Sequence, residues 1–179
     1  MGWGASEAEA VTFGVPTDRP FSRFGEAFGI IRSLLRTGAA DFQGDFYQVD
    51  NRELVPRGPR KIGPPLMVGV KGPKMLRLAA READMIDCLQ LDRDIAPSLV
   101  RDACREVDRD PSTLELIDTR FIRADDDQKD WSMRLRDLPT AVEQSAALGY
   151  AQVILWTEPN TTERLGTLCG EIERLTNAR

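Results

Sequence analysis

Two glycines and two lysines follow a short apolar run in the segment PPLMVGVKGPKMLRLAAREAD, residues 64–84. The turn itself, GVKGPK, joins a run typical of a buried strand to a pattern that predicts a helix. Backbone N–H groups in the first turn of a helix bind anions, and glycine lets a phosphate approach the backbone closely. Lys71 and Lys74 add positive charge. The segment therefore fits a phosphate site. It also fits a tight connection with solvated lysines, which spacing alone slightly favours, because Gly-Pro turns often open helices.

The lack of histidine restricts the chemistry that the chain can perform. None of the 179 residues is His, so Ser-His-Asp and Cys-His relays and histidine-ligated zinc are excluded. The three cysteines, Cys88, Cys104 and Cys169, show no zinc spacing, and we interpret them as small hydrophobic residues in a reducing compartment. We therefore predict no metal site. Proton transfer has to use carboxylates, Lys, Tyr or a cofactor.

Several other polar residues lie in or after the predicted strands. Asp87 and Gln90 belong to one strand-like run and could face a ligand at its carboxyl end. Asp118 and Arg120 interrupt a later apolar run, and a buried pair of this kind is more often structural than catalytic. The acidic segment 125–130 misses the spacing of a calcium loop, so we interpret it as a solvated loop.

Strand and helix signals alternate along the second two thirds of the chain. The four predicted strands are residues 65–70, 85–91, 113–122 and 151–156. The four predicted helices that follow them are residues 73–83, 95–107, 139–148 and 160–176. This alternation predicts an α/β fold with a parallel sheet, right-handed crossovers and cover on both faces. Four such units form either half of an eight-stranded barrel or a small open sheet.

The first third of the chain predicts a helix and a hairpin. The helix covers about residues 21–36 and ends at Gly38, with an inward stripe formed by Phe24, Phe28, Ile31, Leu34 and Leu35. Residues 41–49, DFQGDFYQV, predict a small hairpin around Gly44. We therefore predict a single domain, residues 1–179, in which residues 1–63 form this insert region and residues 64–179 form the four β-α units.

Composition and charge exclude some partners. Acidic residues outnumber basic ones by 29 to 24, which argues against nucleic-acid binding. No apolar run approaches the roughly 20 residues that span a bilayer, so we predict no membrane span. The first ten residues, MGWGASEAEA, lack the apolar core of a signal peptide, which predicts a cytoplasmic protein.

Three separated motifs resemble the luciferase-like flavin monooxygenases, which include variants that use a deazaflavin. Residues 1–35 are similar to the segment after that family's fourth strand, with Trp3, Arg19, Arg23 and Glu26 at similar positions. The motif DFQGDFYQV resembles the family's hairpin before strand five, and residues 64–84 resemble its strand-five phosphate turn and helix.

This resemblance implies a TIM barrel that supplies binding and orientation to a reduced cofactor and a small organic substrate. The cofactor is FMN or the deazaflavin coenzyme F-420, and the Gly-Pro-Lys turn slightly favours the second. By resemblance, the cofactor-binding residues are Gly69, Val70, Lys71, Gly72 and Lys74, with Trp3 and Arg23 as weaker contributors. Val70 replaces a frequent family glycine, which is expected to narrow the approach to the phosphate. The resemblance names no catalytic residue.

The resemblance also implies a partial barrel, because the chain starts where the family's fourth strand is ending. Such a structure exposes two sheet edges and an apolar face, so we expect the insert, a second copy or a partner half-barrel to cover them. The alternative function is a non-catalytic truncated half-barrel that binds a phosphate-bearing ligand or assembles with a partner. A further alternative is that Met1 is not the native start.

Overall fold

The computed structural model of the chain describes residues 1–2, 7–123, 132–134, 137–157, 166, 169–170 and 172–174. The predicted acidic loop and most of the predicted last helix lie outside these residues. Within the described part of the chain, no helix has both the length and the apolar character needed to cross a bilayer.

The first third of the chain forms two helices and a hairpin. Helix α1 covers Glu7–Thr12, and α2 covers Pro20–Thr37 and ends where Gly38 adopts φ 86° and donates its N–H to Leu34 O. The antiparallel hairpin follows as β1, Ala39–Gln43, and β2, Gln48–Glu53. The predicted helix and hairpin are both present.

The inward stripe of α2 is shorter than its periodicity predicts. Phe24 and Phe28 are buried and their rings stack with centroids 5.7 Å apart. Leu35 packs against the core, but Ile31 is 36% exposed, so its predicted inward position is wrong. Its neighbours on this face, Phe28 and Leu35, both contact the core, so the covered stripe is interrupted at Ile31.

Five parallel strands form the sheet. They are β3 Met67–Gly69, β4 Met85–Asp87, β5 Glu115–Arg123, β6 Ser132–Arg134 and β7 Gln152–Thr157. The helices between them are α3 Pro73–Glu82, α4 Ala96–Glu106 and α5 Leu138–Leu148, with a short 3-10 turn at Pro111–Thr113. The four predicted strands and the first three predicted helices of this region are confirmed, and β6 is an additional strand.

The order of the strands leaves a gap beside β5. One edge of β5 pairs with β7 from Ile117 to Ile122. The other edge pairs with β4 over residues 115–117 and then with β6 over residues 121–123. Residues 118–120 therefore border a space between the end of β4 and the start of β6.

The core lies on one face of the sheet, between the strands and the helices. Val68, Ile86, Ala79, Ala80 and Cys104 are fully buried there. On the other face, Ile154 is 37% and Trp156 is 53% exposed. Helices α3 and α4 pack into the core on the opposite face, and α5 is hydrogen-bonded to Asp118 and Arg120, so these helices do not provide the predicted cover at Ile154 and Trp156. An uncovered inner face is expected of part of a barrel.

Candidate functional site

The glycine turn lies at the carboxyl end of β3, as predicted. Strand β3 ends at Gly69, and α3 begins with Pro73 in its first turn. Gly72 precedes the helix with φ 81° and ψ 169°, a conformation that only glycine adopts readily. A Cβ atom added at Gly72 meets nothing within 4 Å. The backbone conformation therefore requires the glycine, and the space beside it is open.

Two of the predicted phosphate-binding amides already have partners. The N–H of Gly69 donates to Met1 O at 2.9 Å, and the N–H of Val70 donates to Asp87 O at 3.3 Å. The amino group of Met1 also donates to Met67 O, so Met1 lies beside β3 in the pattern of a parallel pair. Burial lowers the pKa of this amino group, and the charge of Asp87 partly opposes the shift.

The next four amides of the turn remain available. Among the described residues, the N–H groups of Lys71, Gly72, Lys74 and Met75 have no hydrogen-bond partner, and the helical bonds start with Leu76 N–H to Gly72 O. These groups lie at the positive end of the α3 dipole. The structure thus shifts the candidate anion site from the amides of Gly69 and Val70 to the start of α3.

The side chains of the turn agree with this position. Val70 is only 1% exposed and packs into the core. The expectation that its side chain narrows the approach of a phosphate to the turn is therefore wrong. Lys71 is exposed and has no partner among the described residues. The Lys74 Nζ lies 6.0 Å from the ring centroid of Phe21, which links the start of α3 to the start of α2.

Arg23 and Trp3 are not brought to this turn by the described structure. Arg23 donates through Nε to Asp18 O and through Nη2 to both Asp18 carboxylate oxygens, each at 3.0 Å. These hydrogen bonds lower the pKa of Asp18. The Arg23 guanidinium also stacks 4.3 Å from the ring centroid of Phe46, so its contacts lie with the hairpin. Trp3 lies outside the described residues.

A cavity of about 620 Å³ occupies the gap beside β5. It is lined by residues 88–91 and 93 of the loop after β4, residues 118–121 of β5, and Met133 of β6. Gln90 therefore reaches a cavity at the carboxyl end of β4, as expected. Asp87 instead accepts the N–H of Leu89 at 3.1 Å and shapes the loop.

The charged pair of the cavity wall is fully engaged with α5. Arg120 Nε donates to Asp118 Oδ2 at 2.7 Å, and Ser145 Oγ donates to the same oxygen at 2.6 Å. Arg120 Nη2 also donates to Ala141 O at 3.1 Å. This arrangement agrees with the structural interpretation of the pair, because both charges have partners and tie the helix to the sheet.

The loop after β4, which lines the cavity, is held by Tyr150, a residue that the sequence analysis did not single out. Its hydroxyl donates to Arg93 O at 2.9 Å. Burial raises the pKa of Tyr150, and it raises the pKa of the neighbouring Cys88 thiol to about 12. Both groups are therefore neutral near pH 7. Among the described residues, no cluster of three or more Cys, Asp or Glu side chains is arranged to hold a metal ion.

The sequence pattern of a known family matches most of the chain. A profile of the luciferase-like monooxygenases matches residues 1–159. The chain belongs to this family. The chain is similar to 5,10-methylenetetrahydromethanopterin reductase of Archaeoglobus fulgidus, with 33% identity over 84 residues, which are 45% of this chain and 24% of the reductase. The protein y4wF of Sinorhizobium fredii is 27% identical over 89 residues, 50% of this chain and 26% of y4wF. The chain thus matches about a quarter of the length of these relatives.

Solved structures of luciferase-like enzymes share the fold. The coenzyme F-420-dependent tetrahydromethanopterin reductase of Methanopyrus kandleri superposes with a TM-score of 0.70 at 15% identity, over 95% of this chain and 71% of that one. Monooxygenase RslO1 of Streptomyces bottropensis superposes with a TM-score of 0.71 at 16% identity, over 94% and 64% of the two chains. The predicted α/β fold, a partial TIM barrel, is confirmed.

Proposed function

We propose that this chain carries the phosphate end of the cofactor site in an oxidoreductase that uses reduced FMN or coenzyme F-420 on a small organic substrate. The observation that carries the proposal is the group of four unpartnered amides between Lys71 and Met75 at the start of α3. Two lysines flank them, and the chain belongs to the luciferase-like monooxygenases. We also propose a cytoplasmic location without a nucleic-acid partner, which the three free cysteines and the acidic composition support.

The residues of the turn fit a phosphate group on three counts. Their unpartnered amides lie at a helix N-terminus, which is a common anion site in proteins. The space beside Gly72 is open, so a phosphate oxygen can approach the backbone. Lys71 and Lys74 are both exposed and can supply compensating charge. Once bound, the cofactor supplies hydride transfer or, for FMN, oxygen activation.

The choice between the two cofactors rests on the relatives and on the turn. The Methanopyrus kandleri reductase is described as dependent on coenzyme F-420, whereas RslO1 is described as a monooxygenase. The Gly-Pro-Lys sequence of the turn slightly favours the deazaflavin. Titration with both cofactors separates the two possibilities.

The decisive test compares FMN with riboflavin, which has the same ring system but no phosphate. We expect FMN to bind at least about tenfold more tightly, since charge-assisted hydrogen bonds to one phosphate contribute more than 1.4 kcal/mol. Replacing both Lys71 and Lys74 with Ala should remove most of this difference and leave riboflavin affinity unchanged. Lys61→Ala is the matched control, because Lys61 is an exposed lysine of the loop before β3 and is not part of the turn. Equal affinities for FMN and riboflavin in the unmodified chain, together with equal affinities for coenzyme F-420 and its phosphate-free deazaflavin analogue, would refute the site.

A second candidate function is a module that assembles with another barrel segment and has no catalytic role. The exposed apolar face, with Ile154 37% and Trp156 53% exposed, favours it. Sedimentation equilibrium should then show a homo-oligomer that Trp156→Glu dissociates, in a preparation that binds neither cofactor. Saturable binding of FMN or coenzyme F-420 by the isolated chain would instead support the cofactor site.

A further inference from the structure

Two surfaces carry the most exposed large apolar side chains of the described residues. These side chains are Phe13 (80% exposed), Val55 (78%), Ile62 (71%) and Val11 (67%). Two of them belong to the segment 7–15, which contains α1, and the other two belong to the loop 54–64 between β2 and β3. Apolar side chains exposed in groups mark sites of protein association, whereas single ones are ordinary. Each surface therefore has the character of a contact with another protein.

The segment 7–15 is not packed into the described chain. None of its residues is buried, and Val15, just beyond α1, is 48% exposed. Most short helices are held by packing of an apolar face, because so few residues do not form a stable helix in water by themselves. The segment also contains Glu7 and Glu9 and no basic residue. We therefore expect its partner to offer an apolar surface with positive charge.

The loop 54–64 has the apolar surface. It borders a cavity of about 230 Å³, the loop cavity, at the end of α2. The apolar side chains that line it are Leu35, Leu54, Pro59 and Pro64. An apolar cavity of roughly 150 Å³ can bind benzene, so the loop cavity has room for the ring of Phe13.

The same loop has the positive charge. Residues 53–64 contain Arg57, Arg60 and Lys61 against one carboxylate, that of Glu53. Arg57 donates to the carbonyl oxygens of Arg36 and Lys61, which are uncharged and leave its positive charge uncompensated. Within the described part of the chain, no ion pair joins these three basic residues to a carboxylate. The loop is therefore complementary in charge to the segment 7–15.

The two surfaces do not meet within one chain. The segment 7–15 precedes the start of α2 at Pro20, whereas the loop cavity lies beside Leu35, roughly 22 Å further along this helix at 1.5 Å per residue. A second copy with its α2 antiparallel brings the start of each helix beside the end of the other, about a two-fold axis. Ile31, near the middle of α2 and 36% exposed, then lies close to that axis.

We propose that two copies of this chain associate, with the segment 7–15 of each copy bound at the loop cavity of the other. Phe13 enters the cavity, and the acidic start of α1 faces the basic loop. The contact is independent of the cofactor, because neither surface includes the glycine turn. It also differs from association through Trp156, which lies on the exposed face of the sheet.

Sedimentation equilibrium of the full chain tests the proposal, at protein concentrations up to about 1 mM because small interfaces are weak. We expect a monomer–dimer equilibrium. Phe13→Ser should weaken dimerisation at least about tenfold, as for an aromatic residue that fills a pocket of an interface. Ile95→Ser is the matched control, because Ile95 is 51% exposed before α4 and belongs to neither surface, and it should leave the dissociation constant unchanged.

Reversal of the loop charge provides a second test. The double variant Arg60→Glu and Lys61→Glu should weaken dimerisation by about tenfold at low ionic strength, and by less at high salt, which screens exposed charges. Adding Glu7→Lys and Glu9→Lys should restore the dissociation constant to within about threefold of the original, because the two surfaces are then complementary again.

The double variant Arg81→Glu and Arg101→Glu is the control for net charge, because it changes the charge equally at exposed positions of α3 and α4, and it should dimerise as the unmodified chain does. Circular dichroism establishes that each variant is folded. The proposal is overturned if the chain is monomeric at every concentration, or if Phe13→Ser or the reversed loop dimerises like the unmodified chain. It is also overturned if the charge control weakens dimerisation as much as the reversed loop, if the added lysines restore nothing, or if Trp156→Glu abolishes dimerisation.

Discussion

The carboxylate of Asp118 and the guanidinium of Arg120 lie 2.7 Å apart on one face of β5, with only 9% and 10% of their side chains exposed. The two residues share a face because side chains alternate along a strand. Ser145 of α5 donates its hydroxyl hydrogen to Asp118 and accepts a hydrogen bond from Arg120. The pair therefore attaches α5 to the sheet and forms one wall of the cavity.

Removing one member of this pair should destabilise the protein strongly. Arg120→Met leaves the Asp118 carboxylate buried without its cation, so we expect the free energy of unfolding to fall by about 3–5 kcal/mol. In the double variant Asp118→Leu and Arg120→Met, the free energy of unfolding should fall by less than in Arg120→Met alone, because no charge remains buried. Urea denaturation followed by circular dichroism measures both values.

The exposed pair of Arg105 and Asp102, also 2.7 Å apart, provides the control. Arg105→Met should leave the free energy of unfolding almost unchanged, because water already solvates both partners. If Arg120→Met and Arg105→Met lowered the free energy of unfolding by similar amounts, burial of the Asp118–Arg120 pair would not explain the cost of breaking it.

Gly72 should tolerate no other residue without a loss of stability. At φ 81° and ψ 169° a side chain is strained even though the space is open, so Gly72→Ala should lower the free energy of unfolding by about 1–3 kcal/mol. Gly58→Ala is the control, since Gly58 is an exposed loop residue without positive φ and without near neighbours. Urea denaturation of the two variants gives the comparison, and equal effects would show that the turn relaxes.

The alternation of strands and helices could be predicted because each element carries its own periodicity. The apolar run of β3 identifies a buried strand from neighbouring residues alone. The stripe of Val100, Ala103 and Cys104 likewise identifies the buried face of α4. Strand β6 could not be predicted in this way. It has three residues, Ser132–Arg134, which are too few to show a periodicity, and it is defined only by its pairing with residues 121–123 of β5.

The candidate site also has a part that the sequence predicts and a part that it does not. The glycine turn is a local feature, so its position after β3 and before α3 follows from the sequence. Which of its amides are free depends on the tertiary contacts of Met1 and Asp87 with β3 and the turn. The cavity also depends on non-local geometry, since Arg93 and Thr119 belong to different elements and neither stands out as a motif. Tyr150 was missed for the same reason.

Glu26 should control the order of the hairpin turn. Its carboxylate accepts the N–H groups of Asp45, Phe46 and Tyr47 at 2.9–3.0 Å. Partial desolvation acts to raise the pKa of Glu26, but these hydrogen bonds outweigh it and lower the pKa below its ordinary value. We expect Glu26→Ala to speed amide exchange at residues 45–47 by about tenfold or more, as local opening becomes easier.

Hydrogen exchange measured by NMR at constant pH tests this expectation. Glu53→Ala, at the exposed end of β2, should leave exchange at residues 45–47 unchanged. In the unmodified protein the same protection should decline as the pH falls through the lowered pKa of Glu26, since protonation removes the charged acceptor. Protection that survives in Glu26→Ala would show that the turn is held by the hairpin alone.

The buried Cys88 thiol should make stability fall at alkaline pH. Burial and the nearby charges of Asp87 and Asp118 raise its pKa from 9.0 to about 12. Below pH 9 the thiol is protonated in both the folded and the unfolded chain, so its contribution to stability is fully present. Between pH 9 and 12 only the unfolded chain ionises, and the free energy of unfolding should fall by up to about 1.4 kcal/mol per pH unit for this group.

Urea denaturation at several pH values between about 8 and 10.5 separates the contributions, because the slope with pH is independent of packing lost on substitution. Cys88→Ala should reduce the slope, and adding Cys104→Ala should reduce it further, since burial also raises the pKa of Cys104. The exposed Cys169 serves as the control, and Cys169→Ala should keep the full slope. Burial also raises the pKa of Tyr150, so a decline that begins above pH 10 should persist in all three variants. An identical slope in Cys88→Ala and the unmodified chain would show that the thiol reaches solvent before the protein unfolds.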